Sequence, residues 1–329
     1  MKTCIRLFVL GGLFLSACDE DPMIQTDGFV TKPVIYSILD SEDSVHYFRL
    51  GRFFTGIEDP DITSKIPDSI YFKTANLKVT LQKFRSSKRV QVPVEFVTMT
   101  DKEDGMFTSK EYGIYQIQEK LIRGEYPYKS LVYDSAFVEV AIPGLPVAKC
   151  STSLVWPPKI WWPIQAAQFI FIYPENPMRV LWSGDAWNEI DVNFQILEQY
   201  PDSTVTQTFF IQKTNDIHWN GKYYEIKVPY ELIVQMLEQK LIERRDVIRR
   251  YFGAFRIDIL TGNQDFDNFI RFKEGINDFN YNPYFNIENG IGMICGKSST
   301  IKMSMHLDQA SRLKFAVEPS LRKFKIIEY

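Results

Sequence analysis

The chain has 329 residues, of which 45% are hydrophobic and 24% are charged. This composition is typical of globular proteins and argues against intrinsic disorder, and at about 150 residues per domain the length favours two domains. The formal net charge is −3. Because there is no excess of basic residues to neutralise a phosphate backbone, nucleic acid is not expected as a partner. Aromatic residues make up 15% of the chain, which favours β-structure or a large contact surface.

The chain begins with the features of an export signal. Lys2 and Arg6 supply positive charge, and the run from Leu7 to Leu15 contains only apolar residues and glycine. This run is too short to span a hydrocarbon core of about 30 Å as a helix. Residues 1–17 are therefore predicted to be a signal peptide.

The signal ends in the sequence Leu15–Cys18 (LSAC), which resembles the lipobox of bacterial lipoproteins. In that family the signal is cut before the cysteine, so the resemblance implies that Cys18 carries the lipid, palmitate included. The alternative is an ordinary signal peptide that ends at a chance cysteine. Residues 18–28 are predicted to be an acidic tether. Their acidic start, residues 19–21, resembles the signal that directs Bacteroidota lipoproteins to the outer face of the outer membrane, although acidic runs also occur in plain linkers. The expected location is the outer membrane, facing the cell exterior and held by lipid alone.

Two cysteines, Cys150 and Cys295, remain after loss of Cys4 and modification of Cys18. A compartment outside the cytoplasm permits a disulfide between them, and two separate buried thiols are the alternative. The sequence contains neither a CxxC nor an HExxH motif, and its three histidines lie far apart. No metal and no cofactor is therefore predicted.

Residues 29–150 are predicted to form an immunoglobulin-like β-sandwich. Their apolar residues alternate with polar ones in short runs separated by turn residues, which is the pattern of antiparallel strands. The predicted strands are 29–39 and 44–54, which form a hairpin, 77–84 and 89–97, which pair around the turn 85–88, and 113–120 and 136–142.

Residues 151–177 are predicted to be the crossing between two domains. The segment contains Trp156, Trp161 and Trp162 together with several prolines, which confine the chain to extended or turn conformations. One interpretation is that the tryptophans form a platform for a sugar ring or a protein partner. The favoured interpretation is that they are buried where the two domains meet.

Residues 178–329 are predicted to form an α+β domain that is mostly antiparallel. One long helix is expected from Pro229 to Tyr251, because apolar residues recur there at helical spacing. Four arginines would lie in its last turns, where positive charge suits the helix dipole; they are Arg244, Arg245, Arg249 and Arg250. The expected strands are 178–183, 188–198, 204–213, 255–260 and 299–307. The predicted fold class is therefore mainly β, with a sandwich followed by an α+β domain.

Two catalytic patterns can be rejected from spacing. The segment Gly290–Ser298 ends in Gly-Lys-Ser, but a phosphate-binding loop requires glycine at position 291, where isoleucine stands. There is no G-x-S-x-G motif. Acidic pairs such as Asp265/Asp267 and Asp185/Glu189 are expected by chance among 41 acidic residues. The chain is accordingly predicted not to be an enzyme.

The segment 284–293 includes the sequence Asn286–Gly290 (NIENG). Together with the lipobox and the order of predicted elements, it resembles outer-membrane lipoproteins of Bacteroidota whose genes often lie beside large TonB-dependent (SusC/SusD-like) transporters. The resemblance implies a non-enzymatic accessory subunit of an outer-membrane transport, assembly or secretion complex, with a β-barrel protein as partner. A glycan-binding surface lipoprotein is the alternative, and a hydrolase is a third hypothesis. No catalytic residue is carried over. In structural terms, Asn289-Gly290 favours a turn and Gly292 a bend.

Four Asp-Ser sequences followed by an aliphatic residue or threonine fit the acceptor pattern of Bacteroidota O-glycosylation. Such triplets also arise by chance or in turns. The candidate acceptors are Ser44, Ser69, Ser135 and Ser203.

Overall fold

The computed structural model describes residues 31–53, 62, 64, 66–72, 74–100, 112–125, 129–164, 169–214, 217–274 and 285–328. The predicted signal peptide, Cys18 and the tether lie outside these residues. The described chain is mainly β, which confirms the predicted fold class. Among its helices, none has the combination of length and apolar character that would let it cross a bilayer.

The strands, in chain order, are β1 Lys32–Asp40, β2 Val45–Phe53, β3 Asn76–Lys83, β4 Arg89–Val92, β5 Glu95–Met99, β6 Tyr112–Gln118, β7 Ile122–Arg123, β8 Ser130–Leu131, β9 Tyr133–Ala141, β10 Ala148–Ser153, β11 Lys159–Trp162, β12 Phe169–Ile170, β13 Met178–Ser183, β14 Trp187–Gln199, β15 Thr204–Thr214, β16 His218–Trp219, β17 Tyr224–Val228, β18 Arg249–Gly262 and β19 Ile291–Leu307. The four longest strands, β14, β15, β18 and β19, lie in the second half of the chain. The helices are α1 Pro67–Ile70, α2 Tyr230–Lys240, α3 Gln264–Glu274, α4 Gln309–Val317 and a 3₁₀ helix, Pro319–Phe324.

The largest sheet has nine strands and contains both the first and the last strand of the described chain, β1 and β19. Eight of them follow the order β15-β14-β18-β19-β1-β2-β6-β5, and β12 pairs with the end of β19. The first part of β19 is parallel to β1, with Val34 opposite Ile291. Its second part is antiparallel to β18, with Phe255 opposite Met305. The predicted division placed all of residues 178–329 in the second domain and did not include this return of the chain to β1.

The first half of the chain is a two-layer β-sandwich. The sheet β10-β9-β3-β4 packs on the β1 and β2 part of the large sheet. The pair β3–β4 was predicted, and Gln82 lies opposite Arg89 across its turn. The predicted strand 89–97, however, is two strands, because Pro93 lacks the N–H that would continue the ladder. After it the chain enters the other sheet, where Phe96 lies opposite Tyr115.

The second half of the chain has its own core between the large sheet and the sheet β11-β13-β17-β16. Phe194 is at its centre, with the rings of Phe209 and Phe255 each stacked 5.2 Å away. Helices α2 and α4 close this core, since Ile233 and Phe315 are fully buried in it. Stacked aromatic pairs of this kind add to the stabilisation from area burial.

The two halves are joined by buried hydrogen bonds around Asn263. Its Nδ2 donates to the carbonyl of Ser153 (2.7 Å) and the hydroxyl of Thr152 (2.8 Å) in β10. Its backbone N–H donates to the carbonyl of Gly296 in β19 (3.1 Å). Its Oδ1 accepts from the N–H of Phe266 and so caps the start of α3. A buried amide satisfied on every side fixes one arrangement of the three elements.

The long predicted helix is wrong beyond Lys240. Helix α2 ends there, and residues 249–262 form β18. Ile248 and Tyr251 continue the helical spacing, whereas residues from Phe252 to Ile259 alternate as in a strand. Pairing of β18 with β14 along most of the length of β18 favours the strand. The four arginines are therefore not at a helix end.

Arg250 is instead buried in an ion pair with Glu198, their Nε and Oε1 atoms being 2.6 Å apart. Its Nη1 and Nη2 atoms donate to the carbonyls of Phe324 (2.8 Å) and Ile242 (2.9 Å). Burial acts to raise the pKa of Glu198, but hydrogen bonds from Arg250 and Tyr200 outweigh it, and the pKa is lowered. This pair ties the segment after α2 and the C-terminal 3₁₀ helix to the large sheet.

We expect Arg250→Met to lower the free energy of unfolding by about 3–5 kcal/mol, because it leaves the Glu198 carboxylate buried without its cationic partner. Arg256, on the same strand, forms a partly solvent-exposed ion pair with Asp258 (2.7 Å). The matched variant Arg256→Met should therefore cost less than about 1 kcal/mol. Chemical denaturation of the two variants checks this, and equal losses would contradict it.

His46 on β2 is a second buried polar group that affects stability. Its Nε2 donates to the backbone carbonyl of Glu119 (3.0 Å). Burial lowers the pKa of His46; the Glu119 carbonyl and the carboxylates of Asp43, Asp40 and Glu119 act in the opposite direction without reversing this. The imidazole is therefore held neutral in the folded chain.

This burial predicts a loss of stability in acid. Because the pKa of His46 is lower in the folded than in the unfolded state, the unfolded chain binds more protons as the pH falls below about 6.5. His46→Gln keeps an N–H donor without titrating, so its free energy of unfolding should depend less steeply on pH in that range than the wild type. Denaturation between about pH 5 and 7.5 checks this. The exposed His218→Gln is the control, and parallel pH curves for wild type and His46→Gln would refute the assignment.

Candidate functional site

The second half of the chain carries an open apolar groove of about 410 Å³. This volume lies in the range of ligand-binding clefts, about 300–1,000 Å³. Its side chains come from β11, β12, β13 and the turns beside them. We call it the aromatic groove, and its main lining residues are Trp162, Ile164, Phe169, Phe171, Met178 and Arg179.

Strand β11 presents two neighbouring tryptophans to solvent. Consecutive side chains of a regular strand point to opposite faces, but the pairing of β11 with β13 is irregular between Ile160 and Trp162. Such a bulge re-aims a side chain. Ile160 is buried, while Trp161 and Trp162 are 41% and 44% exposed. The favoured prediction that the tryptophans are buried between domains is therefore wrong.

The three tryptophans do not form one platform. Trp156 is 43% exposed and packs edge-on against Phe84 in the sandwich, with ring centroids 4.9 Å apart. The ring of Trp161 packs against that of Tyr223, with centroids 5.6 Å apart, and the Nζ of Lys159 lies 3.9 Å from the Trp161 ring centroid. Only Trp162 of the three lines the aromatic groove.

Phe169 and Phe171 complete the aromatic groove and were missed from the sequence. They are 51% and 46% exposed, whereas Ile170 and Ile172 between and after them are buried. The period-two alternation of residues 169–172 is the signal that could have revealed them.

The wall formed by Phe169 and Phe171 is fixed by the end of β19. Phe169 is opposite His306 in a short parallel pair. The N–H of Ile172 donates to the hydroxyl of Ser311 in α4 (2.9 Å). This wall of the aromatic groove is therefore attached to β19 and to α4 by hydrogen bonds and is preformed.

The polar groups at the rim of the groove are few. Arg179 forms an ion pair with Glu225, their Nε and Oε1 atoms being 2.8 Å apart. The hydrogen bond from Arg179 lowers the pKa of Glu225, which holds that carboxylate ionised. Asn176 contributes a neutral amide to the lining. This combination favours binding of an apolar or aromatic group beside a hydrogen-bond acceptor.

The acidic pairs noted in the sequence have structural partners. Asp265 accepts a hydrogen bond from the hydroxyl of Thr152 (2.7 Å), and Asp267 is paired with Arg271 (2.9 Å). Burial raises the pKa of Asp185, whose carboxylate accepts from the N–H of Ala186. Within the described ranges, no group of three or more histidine, cysteine or acidic side chains could hold a metal ion.

Cys150 and Cys295 are both buried and are not joined by a disulfide. Burial raises the pKa of each thiol to about 12, and the carboxylate of Asp265 acts in the same direction. Since the thiolate is the reactive species, these two residues are inert packing groups.

The glycine-rich segment after residue 286 is a turn followed by β19. Asn289 has a φ of 55° in the turn, and Gly292 has a φ of 109°. A Cβ on Gly292 would lie 2.1 Å from the carbonyl oxygen of Ile35. Glycine at position 292 is therefore required for the close approach of β19 to β1, in agreement with the structural role predicted for it.

The candidate glycosylation residues differ in accessibility. Ser44 and Ser203 are exposed beside turns, whereas Ser69 in α1 and Ser135 in β9 are half-buried. The exposed pair is thus the better placed for modification.

No protein-family model matches the chain, and no curated protein matches it. Among solved structures, the crystal structure of Dpr11 IG1 bound to DIP-gamma IG+IG2 is similar over 70% of this chain and 90% of that chain. The sequence identity is 9% and the TM-score is 0.17. A likeness at this level carries no argument about function.

Proposed function

We propose that this chain is a lipid-anchored, non-enzymatic accessory subunit of an outer-membrane transport, assembly or secretion complex, and that it docks on its partner through the aromatic groove. The observation that carries the proposal is the preformed, solvent-exposed apolar groove. Scattered exposed apolar residues need no explanation, but a cleft lined by Trp162, Phe169 and Phe171 does.

The lining supports a protein partner more than a glycan. Tryptophan and arginine are enriched among the residues that dominate protein interfaces, and aromatic residues with methionine are enriched at interface centres. A sugar needs several polar groups beside the stacking ring, and here the neighbouring polar groups are Asn176 and Arg179, the latter already paired with Glu225. The expected occupant is an apolar or aromatic segment of a larger membrane protein.

With the proposed lipid anchor, a small groove would be sufficient for stable assembly with a membrane partner. If Cys18 is lipidated, residues 19–31 separate the lipid from β1, and these residues can span about 45 Å at about 3.5 Å per residue. A partner in the same membrane would then be met at high effective concentration. Stable assembly would not require a large interface.

The test is recovery of the partner from membranes. The tagged full chain is purified from gently solubilised native membranes, and co-purifying proteins are quantified by mass spectrometry. We expect a β-barrel protein in stoichiometric amount with the wild type, and at least about tenfold less with Trp162→Ala combined with Phe171→Ala, since two central anchors are lost.

The control is Phe96→Ala. This side chain is 61% exposed and lies on β5 at the far end of the large sheet, so recovery should be unchanged. Undiminished recovery with the groove variant, while the chain stays folded by circular dichroism, would refute the docking role.

Glycan binding is the second candidate, and the exposure of Trp161 and Trp162 favours it. It predicts that purified protein binds an immobilised surface polysaccharide and that Trp161→Ala or Trp162→Ala weakens this binding. Recovery of the chain without any protein partner, together with such binding, would replace the first proposal by this one.

A further inference from the structure

Strand β15 forms one end of the nine-stranded sheet. It has 11 residues and is hydrogen-bonded to β14 along one edge. In the part of the chain that the structure describes, no strand pairs with its other edge. Thr204, Thr206, Thr208 and Phe210 alternate along it and are exposed, Phe210 by 58%.

This edge has few of the features that normally prevent strand addition; its one irregularity in the pairing with β14 lies between Phe210 and Gln212, near the end of the strand. Exposed edges are usually kept short, bulged, or interrupted by charge or proline. Residues 203–212 contain neither a charged residue nor proline. The opposite end of the same sheet, β5, has five residues, follows Pro93 and begins with Glu95. The edge strand β11 has four residues and an irregularity.

The composition of the edge suits pairing with an identical strand. In an antiparallel pair of β15 strands, every register within residues 203–212 is free of like charges facing each other. The register centred on Gln207 places Thr206 opposite Thr208, and threonine pairs stabilise antiparallel strands. The same arrangement places the Asp202 end of each strand beside the Lys213 end of the other.

We infer that β15 is a dimerisation edge that pairs with β15 of a second copy of this chain. The partners are related by a two-fold axis perpendicular to the sheet, so both use the same surface and the assembly closes at two copies. The two nine-stranded sheets become one continuous sheet. This edge is separate from the aromatic groove and does not depend on the proposed function.

The first test is the mass of the full chain in detergent, measured by sedimentation. We expect a dimer for the wild type. Thr206→Lys combined with Thr208→Lys should weaken the dimer at least tenfold, because like charges then face each other. The matched control is Thr98→Lys combined with Thr100→Lys, which places the same change on exposed threonines at the β5 end and should leave the dimer intact.

A second test does not depend on the folding of the lysine variant. Thr206→Cys combined with Thr208→Cys should give a disulfide-linked dimer when membranes are mildly oxidised, and Thr98→Cys combined with Thr100→Cys should not. A monomeric wild type, or a dimer unaffected by the lysine pair, overturns the inference. Crosslinking to a different protein, identified by mass spectrometry, also overturns it and assigns the edge to that protein. Trp162→Ala combined with Phe171→Ala should remain dimeric, so the two proposals fail separately.

Discussion

The structure depends on the hydrogen-bond ladders of β19. This strand has 17 residues and is the only described element that pairs with β1, β12 and β18. Strands β1 and β2 lie on one side of β19 in the sheet, and β18 and β14 lie on the other. Because no ladder hydrogen bonds join these two groups of strands directly, loss of the pairing with β19 would separate them. Its first part contributes Ile294 to one hydrophobic core, and its second part contributes Met305 and Leu307 to the other. Its backbone therefore determines how the halves of the chain are placed.

Close packing along β19 explains several residues that resembled parts of a binding or catalytic motif in the sequence. Gly292 is needed because β1 approaches too closely for a side chain. The carbonyl of Gly296 accepts from Asn263, and Cys295 is buried beneath α3 with Trp187 and Phe266. A Gly-Lys-Ser sequence and a cysteine thus serve strand packing here. The reason for these residues is three-dimensional and does not follow from their spacing in the sequence.

Sequence patterns predicted the local antiparallel pairs well. The hairpin of β1 and β2, the pair β3–β4, and strands β13, β14 and β15 all follow from alternation and turn residues, which act over a few positions. The pairing of β1 with β19 joins residues more than 250 positions apart, and no local periodicity encodes such a partner. For this reason the division of the chain was predicted without the return of β19.

Two wrong predictions, the long helix and the buried tryptophans, have the same origin. Helical spacing near Arg250 was a real pattern, but twelve opposite pairs between β18 and β14 outweigh it, because propensity is weak beside tertiary pairing. Tryptophan is usually buried, so burial was the favoured expectation for Trp161 and Trp162. An irregularity at the edge strand β11 reversed it, and irregularities depend on the neighbouring strand β13.

The position of β12 connects the fold to the proposed function. A binding groove gains affinity when its walls need not be ordered on binding. Phe169 is held by pairing with β19, and the same strand continues into Asp308, which caps α4 and accepts a hydrogen bond from Tyr173. One wall of the aromatic groove is therefore tied to the large sheet through the end of β19. The other wall is carried by the edge strand β11, whose pairing with β13 is irregular between Ile160 and Trp162, so adjustment to a partner is expected at Trp162 and not at Phe169 or Phe171.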